Sequence, residues 1–282
     1  MKIKKLDIFL FYNELELLKA RLEYLGPLVD QFIICEANVD FSGKSKDFIL
    51  STDLISTLPY AEKIIYHQEF INFHSLQWLY RKWRYRNNLS RYLWKIQDAQ
   101  RNSTLKPLKK FSGNDIAIFG DLDEFPSQEA LTQSTLLLNG TNTQSPNAYC
   151  CDQTFYYYNL NNPARQERFY GCIICRLSEL RKYLPHKLRS KKNDLQRLKN
   201  GGWHFSYFMS EEKILNKIYA ISDVENLSSY KNMTVSEIQQ KIELGKDLYD
   251  RNSLLESATE EVIPETVLQA LRKYLPQSIR SS

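Results

Sequence analysis

Residues 6–36 read LDIFLFYNELELLKARLEYLGPLVDQFIICE, and this stretch decides the fold. Leu6 to Tyr12 is a compact apolar run, the mark of a buried strand. Asn13 follows as an N-cap with Glu16 at the N3 position, so the two are expected to form a capping box. Leu15, Leu18, Leu22 and Leu25 then recur at helical spacing, and Gly26-Pro27 stops the helix. Val29 to Glu36 is a second apolar run. Strand, helix and strand in about thirty residues are the signature of a right-handed βαβ unit in a parallel sheet.

Working outward, Lys63 to Tyr66 reads as a third strand, and residues 75–110 as a helical region broken near Asn87-Asn88. Asp115 to Phe119 reads as a fourth strand and Gln128 to Leu138 as a helix. Strands are expected at Tyr149–Tyr158, Tyr170–Leu177 and Gly202–Phe208, with helices from Ser210 onward. No repeat and no Pro/Gly/Ser linker divides the chain. The expectation is one α/β domain over residues 1–282, with its core in 6–250 and terminal helices in 210–282.

The bulk composition excludes several classes. With 9 Gly and 9 Pro in 282 residues, 43% hydrophobic and 25% charged, the chain is neither collagen-like, low-complexity nor disordered. A net charge of +5 is too small to argue for nucleic acid without a patch. No apolar run approaches the ~18 residues of a membrane span. The basic start Met-Lys-Ile-Lys-Lys is followed by too short an apolar run for a signal peptide, so a cytosolic protein is expected. The odd count of five Cys argues against a disulfide framework, and Cys172-x-x-Cys175 lies in a strand-like run with no second pair. At 13% the aromatic content is high, and rings of this kind serve either the core or the stacking of sugars and bases.

Two stretches are basic. Residues 70–97 hold Arg81, Lys82, Arg84, Arg86, Arg91 and Lys95, no acidic residue, and Trp78, Trp83 and Trp94. Residues 181–199 hold eight Lys or Arg against Asp194 alone, and read as a surface loop. Either is a solvated face or meets a polyanion, a nucleotide diphosphate or an anionic membrane surface.

Asp121-Leu122-Asp123-Glu124 is the most chemical feature of the chain. The apolar run Ile116-Ala117-Ile118-Phe119 delivers it to a strand end, where an open parallel sheet keeps its ligand crevice. An Asp-x-Asp on extended backbone sets two carboxylates on one side, and hard divalent cations take such ligands together with substrate phosphates. A nucleotide-sugar transferase, a phosphatase with an Asp nucleophile and a two-metal nuclease could each use it. The phosphatase pattern is disfavoured because Phe125-Pro126 follows the cluster. His204, in Gly201-Gly202-Trp203-His204-Phe205-Ser206, is the best available nitrogen ligand, and the paired glycines suggest close backbone approach to something.

Taken together these blocks resemble glycosyltransferase family 17. Those that match are Phe11-Tyr12-Asn13-Glu14-Leu15-Glu16-Leu17-Leu18, Arg21-Leu22, Cys35-Glu36-Ala37-Asn38, Gln100-Arg101-Asn102, Asp121 to Pro126 and Gly202 to Ser206. They occur in the family's order over roughly residues 6–250, with Glu225 and Gly245-Lys246-Asp247-Leu248-Tyr249 downstream. The resemblance implies a GT-A-type fold, a Rossmann-like mixed and mostly parallel sheet flanked by helices, with a C-terminal helical elaboration. It implies a nucleotide-sugar donor (UDP-N-acetylglucosamine in the characterised branch), a divalent Mn²⁺ or Mg²⁺, and inversion at the anomeric carbon. By residue, it implies that Asp121 and Asp123 meet ribose and metal, with His204 as third ligand. It further implies that Asn13, Glu14 and Glu36 lie by the base and ribose and that Arg101 pairs with a phosphate.

The general base of a single displacement is expected at Glu225, with Glu124 and Asp223 as runners-up. Trp203 and the Tyr156–Tyr158 strand are expected near a sugar. The acceptor is expected to be a glycan or glycolipid, with peripheral contact at the inner membrane face. The competing expectations are a non-catalytic carbohydrate or nucleic-acid binder using residues 70–97, and a metal-dependent phosphoesterase.

Overall fold

The computed structural model describes residues 2–140, 146–164, 169–220, 233–248 and 263–279. Its strands are β1 (Lys5–Phe11), β2 (Gln31–Ala37), β3 (Ile64–Glu69), β4 (Ile116–Asp121), β5 (Glu124–Pro126), β6 (Ala148–Tyr157), β7 (Phe169–Arg176) and β8 (Gln196–Ser206). The helices are α1 (Leu15–Leu25), α2 (Thr52–Ser56), α3 (Leu76–Arg84), α4 (Leu89–Ser103), α5 (Gln128–Asn139), α6 (Leu177–Tyr183), α7 (Pro185–Ser190), α8 (Glu211–Ala220), α9 (Val235–Glu243) and α10 (Glu265–Tyr274). One sheet joins the strands in the order β3-β2-β1-β4-β7-β6-β8-β5. The first four are parallel to one another, β6 and β8 are also parallel, and β7 and β5 run against their neighbours. This is the GT-A-like α/β architecture.

The β1-α1-β2 unit forms as the apolar pattern dictates. Period-two alternation sorts the strand residues between two cores. Phe9, Phe11, Phe32 and Ile34 face α1, α5 and α10 on one side, where Leu18, Leu22, Ala130 and Leu271 meet them. Leu6, Ile8, Ile33 and Cys35 face the other side, under Leu180 of α6 and Leu188 of α7. A third cluster joins Phe155 and Tyr157 of β6 to Ile214, Ile218 and Ile238 of α8 and α9. All five cysteines are free and buried in these layers.

Local details differ from the sequence reading in three places. The capping box is absent: Glu14 stands at the N-cap of α1, and Glu16 pairs instead with Lys213 at 2.7 Å. Residues 181–199 are not a loop but the end of α6, α7, a 3-10 turn and the start of β8. β8 is eleven residues long, because its basic half pairs in register with β6 and leaves Arg197 and Lys199 to solvent.

The crossing from β4 to β5 matters most for function. Only Leu122 and Asp123 separate the two strands, yet β5 pairs with β8, so Glu124 lies opposite His204. The backbone is crowded on both sides of this crossing. A Cβ on Gly120 would stand 2.6 Å from Glu124 Oε2, and one on Gly202 would stand 2.0 Å from the Phe125 carbonyl oxygen. Gly202 also holds a φ of +120°, which only glycine adopts without strain. The close approach expected at Gly201-Gly202 is therefore to β5 at Gly202, while a Cβ on Gly201 would stand 2.5 Å from the Asp152 amide of β6.

Gly202→Ala should lower unfolding stability by about 2 kcal/mol or more in urea titration. Gly140→Ala serves as the control, since its added Cβ meets only ordinary contacts from 3.4 Å outward. It should change stability by no more than about 0.5 kcal/mol, as substitutions away from special features do.

Candidate active site

β1 and β4 lie side by side with Leu10 opposite Asp121, while β2 and β3 lie on the far side of β1. The strand order thus reverses between β1 and β4, and a crevice opens at the carboxyl ends of such a pair. Here it is a cavity of about 240 Å³ lined by Tyr12, Glu14, Phe41, Gln97, Asp121, Asp123, His204, Ser206, Tyr207 and Lys217, among others.

Each acid of the cavity is answered by a cation. Arg189 Nη2 donates to Asp121 Oδ2 at 2.8 Å, and Arg101 Nη2 stands 3.5 Å from Oδ1. Burial pushes the Asp121 carboxyl up, but the two guanidiniums outweigh it and hold the group down to about 2. Asp123 Oδ2 faces His204 Nε2 at 3.4 Å and Lys217 Nζ at 3.3 Å. Burial opposes ionisation here too, and the His204 and Lys217 partners hold the carboxyl well below the usual range. Lys217 also reaches Glu14 at 2.8 Å. Its ammonium bridges the two acids, which keep its pKa above the ordinary value despite burial.

The backbone of the Asp-Leu-Asp-Glu turn is fixed from behind. Arg21 of α1 is fully buried and grips Asp7 of β1 through Nε at 2.8 Å and Nη2 at 2.7 Å. Its Nη1 donates to the carbonyls of Leu122 at 3.0 Å and Glu124 at 2.6 Å. The Phe205 amide donates to the Asp123 carbonyl at 2.8 Å, which ties the turn to β8. His204 is held by aromatic contacts: its ring stacks on Phe155 at 4.6 Å and leans on Phe169 at 3.9 Å.

Buried polar atoms without a partner are rare in proteins, and each asks for an explanation. Six occur among the described residues, and four belong to residues that line the cavity or adjoin its lining: Asn13 Oδ1, Gln97 Oε1, Arg101 Nε and His204 Nδ1. Gln97 and His204 line the cavity, Asn13 lies between the lining residues Tyr12 and Glu14, and Arg101 is paired with Asp121.

The structure brings Asp121, Asp123, His204, Glu14 and Arg101 together. It places other expected site residues elsewhere. Glu124 is fully buried, takes two bonds from Arg189 and accepts from the Asp121 amide at 3.1 Å, so no proton of an acceptor reaches it. Glu36 is equally buried: it pairs with Lys46 and accepts from the Ile49 and Leu50 amides and the Tyr66 hydroxyl. It anchors the chain following β2 and does not line the cavity. Trp203 and Tyr156 point to the opposite face of the sheet from His204, into the core against α1. Trp203 lines a separate cavity there with Tyr24. Tyr158 is buried in the third cluster and donates to the Lys246 carbonyl at 3.1 Å. Glu225 and Asp223 lie outside the described residues.

Sequence reasoning missed Arg189, Lys217, Gln97, Tyr12 and Phe41. Arg189 belonged to a stretch already marked as basic, but nothing local marked it off from its neighbours. Lys217 follows Lys213 by one helical turn, which sets a shared face but names no partner.

A parallel-sheet switch point carrying paired carboxylates and clustered cations defines an α/β protein with a charged crevice at the carboxyl ends of its strands. The sequence model of glycosyltransferase family 17 matches residues 1–264, so the chain belongs to that family and is a glycosyltransferase. No curated protein sequence matches it.

Replacing Arg21 by Met should destabilise the fold by about 3–5 kcal/mol, because Asp7 is left charged and buried without its partner. Adding Asp7→Leu in the same chain should recover a large part of that loss, as read by denaturant unfolding.

Proposed function

We propose that the protein transfers a sugar, N-acetylglucosamine, from a UDP donor to a glycan or glycolipid acceptor by a single inverting displacement in the cytoplasm. The observation that carries this reading is the cavity at the β1–β4 switch point, where the unpartnered Gln97 Oε1 and His204 Nδ1 belong to lining residues and the acids are already matched with cations. A ribosyl diphosphate offers hydroxyl donors and anionic oxygens to such a set. The five free buried cysteines suit a reducing compartment.

In this reading Tyr12 and Phe41 flank the base, while Asn13, Glu14 and Asp121 meet the ribose. Arg101 carries an unsatisfied Nε and a long pairing with Asp121, and it turns to a phosphate oxygen. Lys217 supplies positive charge beside Asp123, where charge grows on the departing diphosphate.

Among the described residues no three His, Cys, Asp or Glu side chains converge to enclose an ion by themselves. One or two carboxylates completed by substrate phosphates suit Mg²⁺ or Mn²⁺, and two of Asp121, Asp123 and His204 would supply the protein's share of that donor set. When bound, such an ion supplies Lewis-acid charge to the leaving diphosphate. The general base is assigned to Glu225, with Asp223 as the second choice, in the segment that follows the Lys217 helix.

Arg101→Gln should weaken UDP binding by calorimetry roughly 10- to 150-fold, the cost of one charged hydrogen bond. Thermal stabilisation by UDP plus Mn²⁺ should disappear in Asp123→Asn, and undiminished Mn²⁺-dependent hydrolysis of UDP-N-acetylglucosamine by that variant would overturn the assignment. Glu225→Gln should lower kcat about 10²- to 10⁴-fold with little change in donor KM. An unchanged kcat there moves the base to Asp223.

A further inference from the structure

α3 is an amphipathic helix whose apolar stripe faces solvent. Leu76, Leu79, Tyr80 and Trp83 follow the i, i+3, i+4, i+7 spacing and are 86%, 48%, 53% and 62% exposed. Trp78, on the opposite side, is buried against Leu93 and Ile96 of α4 and fixes the helix to the body of the protein. At about 100° per residue, Lys82 and Arg84 flank the exposed stripe on its two sides.

The turn from α3 to α4 adds a cationic hollow. A cavity of about 460 Å³ is lined by Trp83, Arg84, Arg86, Asn87 and Arg91, among others. The guanidiniums are held by neutral groups. Arg84 Nη1 donates to the Tyr80 hydroxyl at 3.1 Å, Arg86 Nη1 donates to the Trp83 carbonyl at 3.1 Å, and Arg91 lies 5.8 Å from the Tyr85 ring centre. Among the described residues no carboxylate pairs with Arg81, Lys82, Arg84, Arg86 or Arg91, and residues 70–97 contain no Asp or Glu. Lys95 alone of the basic set is paired, with Asp98 at 2.8 Å.

We propose that the α3–α4 hairpin docks the protein on an anionic lipid bilayer, with the Leu76-Leu79-Tyr80-Trp83 stripe seated in the interface and a lipid phosphate held by Arg84, Arg86 and Arg91. A convex helix face bearing Leu and Trp, bordered by Lys and Arg, is the pattern of a helix that lies in the plane of an interface. The negative surface potential of such a bilayer complements the unpaired cations. Other occupants fit less well. A nucleic acid would find phosphate partners and could stack on Tyr80 and Trp83, but it would leave Leu76 and Leu79, the former the most exposed of the stripe, in water. A second copy would bring the flanking Lys82, Arg84 and the Arg86–Arg91 hollow of one molecule against the same cations of the other.

The geometry links this surface to the cavity. α4 runs from the turn to the site, with Gln97 on the cavity wall and Arg101 beside Asp121. The path from Asn88 to Arg101 is about 20 Å along the helix axis. Resting on the transferase reading, this would present a lipid-linked acceptor within reach of Asp121. The docking itself stands without it.

Co-sedimentation of the full chain with vesicles tests the proposal. Vesicles of phosphatidylcholine mixed with phosphatidylglycerol should bind at least tenfold more tightly than phosphatidylcholine alone, and added salt should weaken that binding. Both Leu79→Asp/Trp83→Asp and Arg84→Gln/Arg86→Gln/Arg91→Gln should lose the preference. All these side chains are exposed, and circular dichroism verifies that both variants fold. UDP binding by calorimetry should be unchanged in each, which separates docking from the donor site. Equal binding to both vesicle types, or preference retained in either variant, overturns the proposal. So does single-stranded RNA that displaces the protein from anionic vesicles and itself needs Trp83 and the three arginines. Absence of UDP binding in the unaltered chain, with vesicle preference intact, would instead count against the transferase reading alone.

Discussion

The Arg21 guanidinium is the fixed point of this molecule. It rises from α1, pairs with Asp7 at the heart of β1, and spends its remaining donors on the carbonyls of Leu122 and Glu124. One side chain therefore couples the first helix, the first strand and the turn that carries the acids. A buried ion pair of this kind adds little net stability over apolar side chains of the same volume, because two charges must leave water. Its value here is geometric. The planar fork fixes direction as well as distance, and the chain between β4 and β5 has only two residues in which to turn.

A second buried arginine completes the arrangement from the opposite side. Arg189 comes from α7, some seventy residues beyond the turn, and holds Glu124 and Asp121 while also donating to the Gly171 carbonyl at 2.8 Å. Glu124 thereby becomes the structural member of the Asp-Leu-Asp-Glu run. It satisfies Arg189 and the Asp121 amide, which leaves Asp121 and Asp123 to face the cavity. The division of labour among three neighbouring carboxylates follows from which strand face each occupies and which cation arrives there.

Much of this was legible in the chain, and the rest was hidden for identifiable reasons. The β1-α1-β2 unit, the strand leading to Asp121 and the break near Asn88 are local patterns that packing left intact, whereas the capping box gave way to the pairing of Glu16 with Lys213. Arg189 and Lys217 are brought to the site by long-range packing that no spacing encodes. The expected sugar contacts of Trp203 and Tyr156 conflict with strand geometry itself. Consecutive residues on a strand point to opposite faces, so Trp203 cannot share a wall with His204, nor Tyr156 with Phe155 stacked on that imidazole. The sequence already contained that constraint. The aromatic excess is consequently divided between a core role, as for Trp203, and rings at the cavity, as for Tyr12, Phe41 and Tyr207.

The unpartnered atoms around the cavity have an energetic meaning. Leaving a buried polar group unsatisfied costs about 1–3 kcal/mol, so a fold retains several together only where something compensates. Asn13 Oδ1, Gln97 Oε1, Arg101 Nε and His204 Nδ1 do not satisfy one another, and they come from three separate parts of the chain. Asn13 precedes α1, Gln97 and Arg101 project from α4, and His204 is sandwiched in β8. A ligand with hydroxyl and phosphate oxygens at the right spacing gains their full hydrogen-bonding strength without first breaking internal bonds. Selectivity follows from the same argument, since a ligand that lacks one of those groups leaves the matching protein atom as costly as before.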